Sequence, residues 1–427
     1  MTASPSLRLS KRLLDPNLLF SLLTQMANKA PALMTATILT RVYATEVMGD
    51  FFFATALSFF VSMIASFGTN LHLVRAVAAQ PHQGLEQLGE VLGLRLSSAV
   101  IAFFLLNGSI WVVAPELLMM MTMTSLHFLL GDLSHSFGAF LIGMQRFRLR
   151  LFLSLTGPVF LMGSVALTVL FNANFIYTLL CYVLASVIML TMSYIIVRMK
   201  FGLIPISLHW QVLRRISYLC WPLLMIETLQ IVQFKIDTLM IFSMLSATAV
   251  AEYETAYRLL EVTRLAVRPL AVVAFPLCVT YATQQRWGDV NQLLWRTVLL
   301  AAALGGLFAL VVTPRPDLIM GIIWGDAYRQ SGPILRVLFL TAPLLLAGVV
   351  WASLANAVHL ERTLMLIMAM ATVLNLTLNF WAIPIWGAVG AAWTTLATEA
   401  FILTILSLTW VRTFSTRASN SRTTVGQ

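Results

Sequence analysis

ETLQIVQFKIDTLMIFSMLSATAVAEYETAYRLLEVTRLAVR, residues 227–268, decides how this chain folds. It holds two long apolar stretches joined by a turn near Ala247, and Glu227, Lys235, Asp237, Arg258, Glu261, Arg264 and Arg268 interrupt them. Apolar runs of about 20 residues are what a bilayer crossing needs. A charge near the bilayer centre costs roughly 2.5–3.5 kcal/mol or more, so it persists where it is paired or used. Two spans carrying this many charges predict a polytopic membrane protein with a polar interior, which suits a transporter better than an anchor.

Working outward, twelve apolar spans fall near 18–40, 51–73, 91–113, 115–140, 149–171, 175–197, 216–245, 249–283, 291–313, 333–358, 362–383 and 387–411. The 427 residues are 59% hydrophobic and only 10% charged. A soluble domain is about 25% charged, so a soluble globule is excluded. The eighth span is too long for one straight crossing, and Pro269 and Pro276 predict a bend in it. The longest internal segments between spans, about 197–215 and 314–332, are too short for a soluble domain. Any chemistry therefore belongs within the bundle or at its rim. The polar tail STRASNSRTTVGQ is expected to be disordered.

A net charge of +10 could suggest nucleic acid, but its distribution points elsewhere. With twelve spans both termini share a side. That side carries Arg8, Lys11, Arg12, Arg75, Arg95, Arg146, Arg148, Arg150, Arg198, Lys200, Arg214, Arg215 and most later cations; the other carries Arg41, Arg315, Arg329 and Arg336. By the positive-inside rule both termini are expected in the cytoplasm. Contact with anionic membrane lipids is a secondary consequence, and no nucleic-acid partner is expected. The first span follows the basic N-terminus without a small-residue cleavage pattern, so it should insert and stay. Cys181, Cys220 and Cys278 stand apart with no CxxC spacing and read as small apolar fillers.

An internal repeat relates ATEVMGDFFFATAL (44–57) to SATAVAEYETAYRL (246–259) at an offset of 202, matching Asp50 with Glu252 and Phe51 with Tyr253. Six plus six spans as parallel repeats is a known transporter plan. It divides the chain into an N-terminal lobe at 1–205, a C-terminal lobe at 206–411 and a cytoplasmic tail at 412–427.

Four blocks carry a resemblance: ATILTRVYATEVMGDFFFATAL with FGTNLHLVRAVA (36–78), IDTLMIFSMLSATAVAEYETAYRLLE (236–261), WGDAYRQSGPILRVLFLTAPLL (324–345) and NLTLNFWAIPIWGAVGAAWTTLATEAF (375–401). In this order they resemble the polysaccharide and O-antigen flippases, the Wzx-type branch of the MOP exporter superfamily. Ala251 stands where the family usually has Gly, and Ile241-Phe242 where Leu-Gly is common. The resemblance implies an all-α membrane protein of twelve transmembrane helices, in two six-helix lobes around a central cavity. It implies a flippase in the bacterial cytoplasmic (inner) membrane that moves undecaprenyl-pyrophosphate-linked oligosaccharide units by alternating access. Such units feed O-antigen, capsule or exopolysaccharide assembly, with glycan polymerase and assembly proteins as partners. A monomer needing no cofactor or metal is expected.

Two antiparallel helices set residues level when their numbers share a constant sum. A turn near Ala247 then faces Asp237 with Arg258, Lys235 with Glu261 and Glu227 with Arg268, three complementary pairs that can neutralise one another. Arg264 is left over, and the repeat places Lys29 at a similar depth. Two cations at one level suit a pyrophosphate, because a guanidinium contacts it bidentately. The alternative has Lys29 snorkelling and Arg264 sharing Glu261. Gln25 and Asn28, with Ser21 and Thr35, line one face of the first span, and Glu227, Gln230 and Asp237 do the same in the seventh.

In the fourth span His127, Asp132 and His135 are too spread for a metal site. Two readings of Asp132 stand, ion coupling or hydrogen bonding within the bundle. Glu399 reads as structural. No P-loop is present and no sizeable loop holds a DxD pair, which counts against an ATP-driven pump and a membrane glycosyltransferase or polymerase. The closest rival is an ion-coupled multidrug exporter of the same superfamily, whose cavity would favour acidic and aromatic residues.

Overall fold

The computed structural model describes residues 16–424, with the side chains of all of them except 16–22, 25, 27–28, 222, 226, 229–231, 233–234 and 413–424. Helices follow one another as α1 (Pro16–Val42), α2 (Thr45–Ala65), α3 (Thr69–Ala79), α4 (Gly84–Val113), α5 (Leu118–Gly143), α6 (Phe147–Leu170) and α7 (Phe175–Phe201). Then come α8 (Trp210–Met244), α9 (Ala247–Thr283), α10 (Trp287–Val312), the short α11 (Pro316–Trp324), α12 (Gly332–Ala357) and α13 (Glu361–Thr424). No strand occurs among the described residues.

Each of the twelve apolar stretches is largely helical among the described residues. Nine helical segments among the described residues are long and apolar enough to cross a membrane. The span at 51–73 is broken between α2 and α3, where Phe67 and Gly68 take positive φ values of 54° and 63°. Helix α13 contains the last two spans. Its break is Gly387, at φ 62° and ψ −149°, a conformation open to glycine and strained for any side chain. A continuous helix would hold Asn379 and Thr394 about 22 Å apart, yet Thr394 Oγ1 donates to Asn379 Oδ1 at 2.5 Å. The chain therefore reverses at Gly387 and crosses twice.

Pro269 and Pro276 lie inside α9, which continues past both. Helix α13 runs as far as Thr424, into the polar tail. One reading needs correction: Arg95, counted among the cations of the cytoplasmic side, sits inside α4 at 1% exposure.

The chain forms two compact units, Met1–Lys235 and Ile236–Gln427, and the boundary between them lies within α8. In the first unit α1 packs on α6, α5 on α7, and α2, α3 and α4 on α5. Leu73, Val77, Leu88, Phe137 and Phe140 make the apolar centre of that unit. The first turns of α8 belong there too, with Ile216 and Cys220 packed on Leu94. In the second unit α12 is central and touches α9, α10 and α13. Its core runs from Val267 and Cys278 to Leu354, with Trp351 edge-on to Trp410 at 5.1 Å. The offset of 202 recurs at the helix starts, since α2 begins at Thr45 and α9 at Ala247.

Candidate functional site

Each unit holds one buried charged network. In the first it centres on Arg95, which α4 carries into the apolar interior between Leu92 and Ala99. Its Nε donates to Thr69 Oγ1 at 2.7 Å and its Nη1 to the Asp132 carbonyl at 2.8 Å. The Asp132 carboxylate lies 3.2 Å from Nη1. A guanidinium suits this place because its rigid fork addresses two helices at once. His135 and Glu227 lie within electrostatic reach of the same cluster, and Ser66 is within hydrogen-bond reach of Glu227. Among the described residues Arg95 Nη2 and Glu227 Oε2 are buried without a hydrogen-bond partner. The network thus keeps one spare donor and one spare acceptor.

His127 belongs to a different contact. Its Nδ1 donates to the Tyr182 carbonyl at 2.9 Å and lies 2.6 Å from Ser186 Oγ. That ring fastens α5 to α7, and Asp132 on the same helix turns instead to Arg95. The three cysteines are free and buried.

In the second unit the network centres on Asp237, 5% exposed. Tyr253 Oη donates to its Oδ2 at 2.7 Å and Thr395 Oγ1 to the same oxygen at 3.2 Å. Asn379 Nδ2 donates to Oδ1 at 2.6 Å and to Asn375 Oδ1 at 3.1 Å. One residue on, Thr238 donates to the buried Glu254, which lies 4.0 Å from Arg258. The last turns of α8 are thereby tied to α9 and to both arms of α13.

This differs from the pairing expected of α8 and α9. Asp237 is held by neutral donors, and Arg258 pairs along its own helix with Glu254. The reason is register. Helix α8 ends at Met244 and α9 starts at Ala247, so the turn centres between Leu245 and Ser246. Asp237 then lies level with Glu254, about one helical turn from Arg258. Of the other two expected pairs, Glu227 and Lys235 belong to the first unit and Glu261 and Arg268 to the second.

Arg264 is not solitary. Its charge reaches Glu399, and Arg268 feels both Arg264 and Glu261. Glu399 Oε2 lies over Gly348 of α12, 3.7 Å from where a Cβ would stand. The exposure pattern is asymmetric: Arg258, Glu261 and Arg264 are half-buried and Arg268 exposed, whereas Asp237 and Glu254 are buried behind them. Of the charges that α9 leaves at least partly exposed, Arg258, Arg264 and Arg268 outnumber Glu252 and Glu261. Lys29 is exposed on α1. Gln25, Asn28 and Gln230 have side chains outside the described residues.

The functional groups missed from the sequence are Arg95, Glu254, Asn375, Asn379, Thr394 and Thr395. The asparagines carried a signal, since an amide pair four apart inside an apolar span is costly unless it meets a partner.

The helix order and the apolar lengths define a multi-pass, all-α membrane protein, and solved structures share this fold. An inward-facing multidrug resistance MATE family transporter of the MOP superfamily superposes with a TM-score of 0.76 at 10% identity, over 95% of this chain and 100% of the other. Lipid II flippase MurJ, in an inward closed conformation, gives 0.69 at 13% identity, over 95% and 90%. A MOP superfamily transporter from Pyrococcus furiosus gives 0.62 at 9% identity, over 94% and 95%. No curated protein matches the sequence significantly. A profile of the polysaccharide biosynthesis protein family matches residues 16–281, most of the chain. The chain belongs to that family.

Proposed function

We propose that this protein is a flippase for undecaprenyl-pyrophosphate-linked oligosaccharides in the bacterial cytoplasmic membrane, with both termini in the cytoplasm. It serves O-antigen, capsule or exopolysaccharide assembly and works by alternating access. The family match over 16–281 carries the reading. At residue level it is supported by the arginines of α9, where Arg258, Arg264 and Arg268 stand forward of the buried carboxylates. Arginines at membrane depth suit an anion, and pyrophosphate offers each guanidinium a bidentate contact. Arg264 and, on α1, Lys29 are assigned to the pyrophosphate.

The test is transport of a labelled polyprenyl-pyrophosphate oligosaccharide into proteoliposomes. Wild type is expected to move it. Arg264→Ala and Lys29→Ala are each expected to lower transport by about tenfold, the value of one charge-assisted hydrogen bond of roughly 1.5–3 kcal/mol. Unchanged transport in both variants would remove the pyrophosphate assignment. Failure of wild type with several such lipids, together with resistance to cationic dyes in cells, would favour the multidrug exporter.

Asp132 is assigned to ion coupling. It is a carboxylate held against one arginine, 3.2 Å away, and changing its charge would release Arg95 toward the spare oxygen of Glu227. Asp132→Asn is expected to leave transport insensitive to an imposed pH gradient. A variant that answers the gradient as wild type does would return Asp132 to a structural role.

A further inference from the structure

A second concave site lies in the first unit, apart from the buried network. A cavity of about 680 Å³ opens beside the first turns of α8, lined by Phe67, Gln211, Arg214, Arg215, Tyr218 and Trp221. That volume is in the range of sites for small ligands, roughly 300–1,000 Å³. Its chemistry is mixed in a particular way. Two guanidinium groups stand among two aromatic rings that remain largely exposed, Tyr218 at 84% and Trp221 at 55%.

The walls are fixed. Arg215 Nη2 lies 2.6 Å from Glu90 Oε1, which ties α8 to α4 and orients one guanidinium. At the floor, Phe67 belongs to the break between α2 and α3. The next residue, Gly68, approaches α8 so closely that a Cβ there would fall 2.7 Å from the Leu224 nitrogen. Backbone meets backbone at this point, so the cavity does not depend on a mobile loop. Arg214 makes no ion pair among the described residues, and its charge is available to a ligand.

Aromatic residues and arginines at a membrane boundary often serve as a simple anchor belt. Here the same residue types line an open depression beside α8, where exposed rings offer flat faces to a sugar and Arg214 offers a bidentate contact to phosphate. We infer that the cavity is a loading subsite for the diphosphate-sugar head of the lipid substrate. The subsite stands on the side that the basic loops assign to the cytoplasm. This rests on the flippase reading and names where the head group docks before it is moved.

The test uses the full chain in nanodiscs and measures binding of a short-chain polyprenyl-diphosphate disaccharide, inorganic pyrophosphate and phosphatidylglycerol. Arg214→Gln is expected to weaken the disaccharide probe and pyrophosphate about tenfold. Trp221→Leu is expected to weaken the disaccharide probe and leave pyrophosphate unchanged, and Arg198→Gln should alter neither. In transport, Arg214→Gln should raise the KM for the lipid while leaving turnover at saturation near wild type. Both substituted side chains are exposed, and an unchanged melting temperature verifies folding. Equal binding by wild type, Arg214→Gln and Trp221→Leu would overturn the subsite. Phosphatidylglycerol displacing the probe at equal concentration would also overturn it and leave a lipid anchor. Variant-sensitive binding without transport by wild type would sink the flippase reading and keep the site; normal transport with an unaltered KM in Arg214→Gln would do the reverse.

Discussion

Arg95→Ala is expected to cost the first unit about 3–5 kcal/mol, the usual penalty for removing one member of a buried ion pair. The side chain is 1% exposed, and its loss strands the Asp132 carboxylate in an apolar bundle. Purified protein should melt well below wild type, and membrane yield should fall with it. Arg95→Lys should recover only part of the loss, because one ammonium cannot address Thr69 and Asp132 with the geometry of a planar fork. The double variant Arg95→Met with Asp132→Leu should recover more, since removing both charges abolishes the desolvation cost along with the attraction. Wild-type melting in Arg95→Ala alone would mean that the network is not what holds α3, α4 and α5 together.

Arg95 lies within the apolar span at 91–113, yet by charge alone it reads as one more cation of the basic side. Helix α4 begins earlier, at Gly84, and Leu88, Val91, Leu92 and Leu94 are buried around Arg95. Apolar residues buried in the two turns before an arginine are a local mark of an internal charge. The twelve helices were legible because apolar length is a local property that the bilayer itself imposes. Which charges meet is not local. It depends on where one turn falls, and placing that turn near Ala247 moved the whole register of α8 against α9. The offset of 202 is met again in one pair of helix starts, Thr45 and Ala247.

Asp237→Ala is the complementary case in the second unit, with an expected loss of about 3 kcal/mol or more. Three donors converge on this carboxylate, from Tyr253, Asn379 and Thr395. Removing the acceptor costs each of them a buried hydrogen bond, at roughly 1–3 kcal/mol per group left short, and Tyr253 suffers most because its other contact, to Thr395, is 3.3 Å long. Asp237→Asn should cost less, about 1–2 kcal/mol, because one oxygen remains to accept while the new amide opposes a donor. Tyr253→Phe should be milder still, since Thr395 and Asn379 keep their bonds. The division of the chain gives this series a functional meaning. Helix α8 belongs to the first unit through Ile216 and Cys220, and to the second through Asp237 and Thr238. A loosened Asp237 frees the far end of α8 from α9 and α13 while its beginning stays fixed. Transport per folded molecule should therefore fall with the melting temperature across Tyr253→Phe, Asp237→Asn and Asp237→Ala, and binding of the substrate head should not. A variant that melts normally yet loses affinity would show that Asp237 touches the substrate, and its neutral donors would then need a second role.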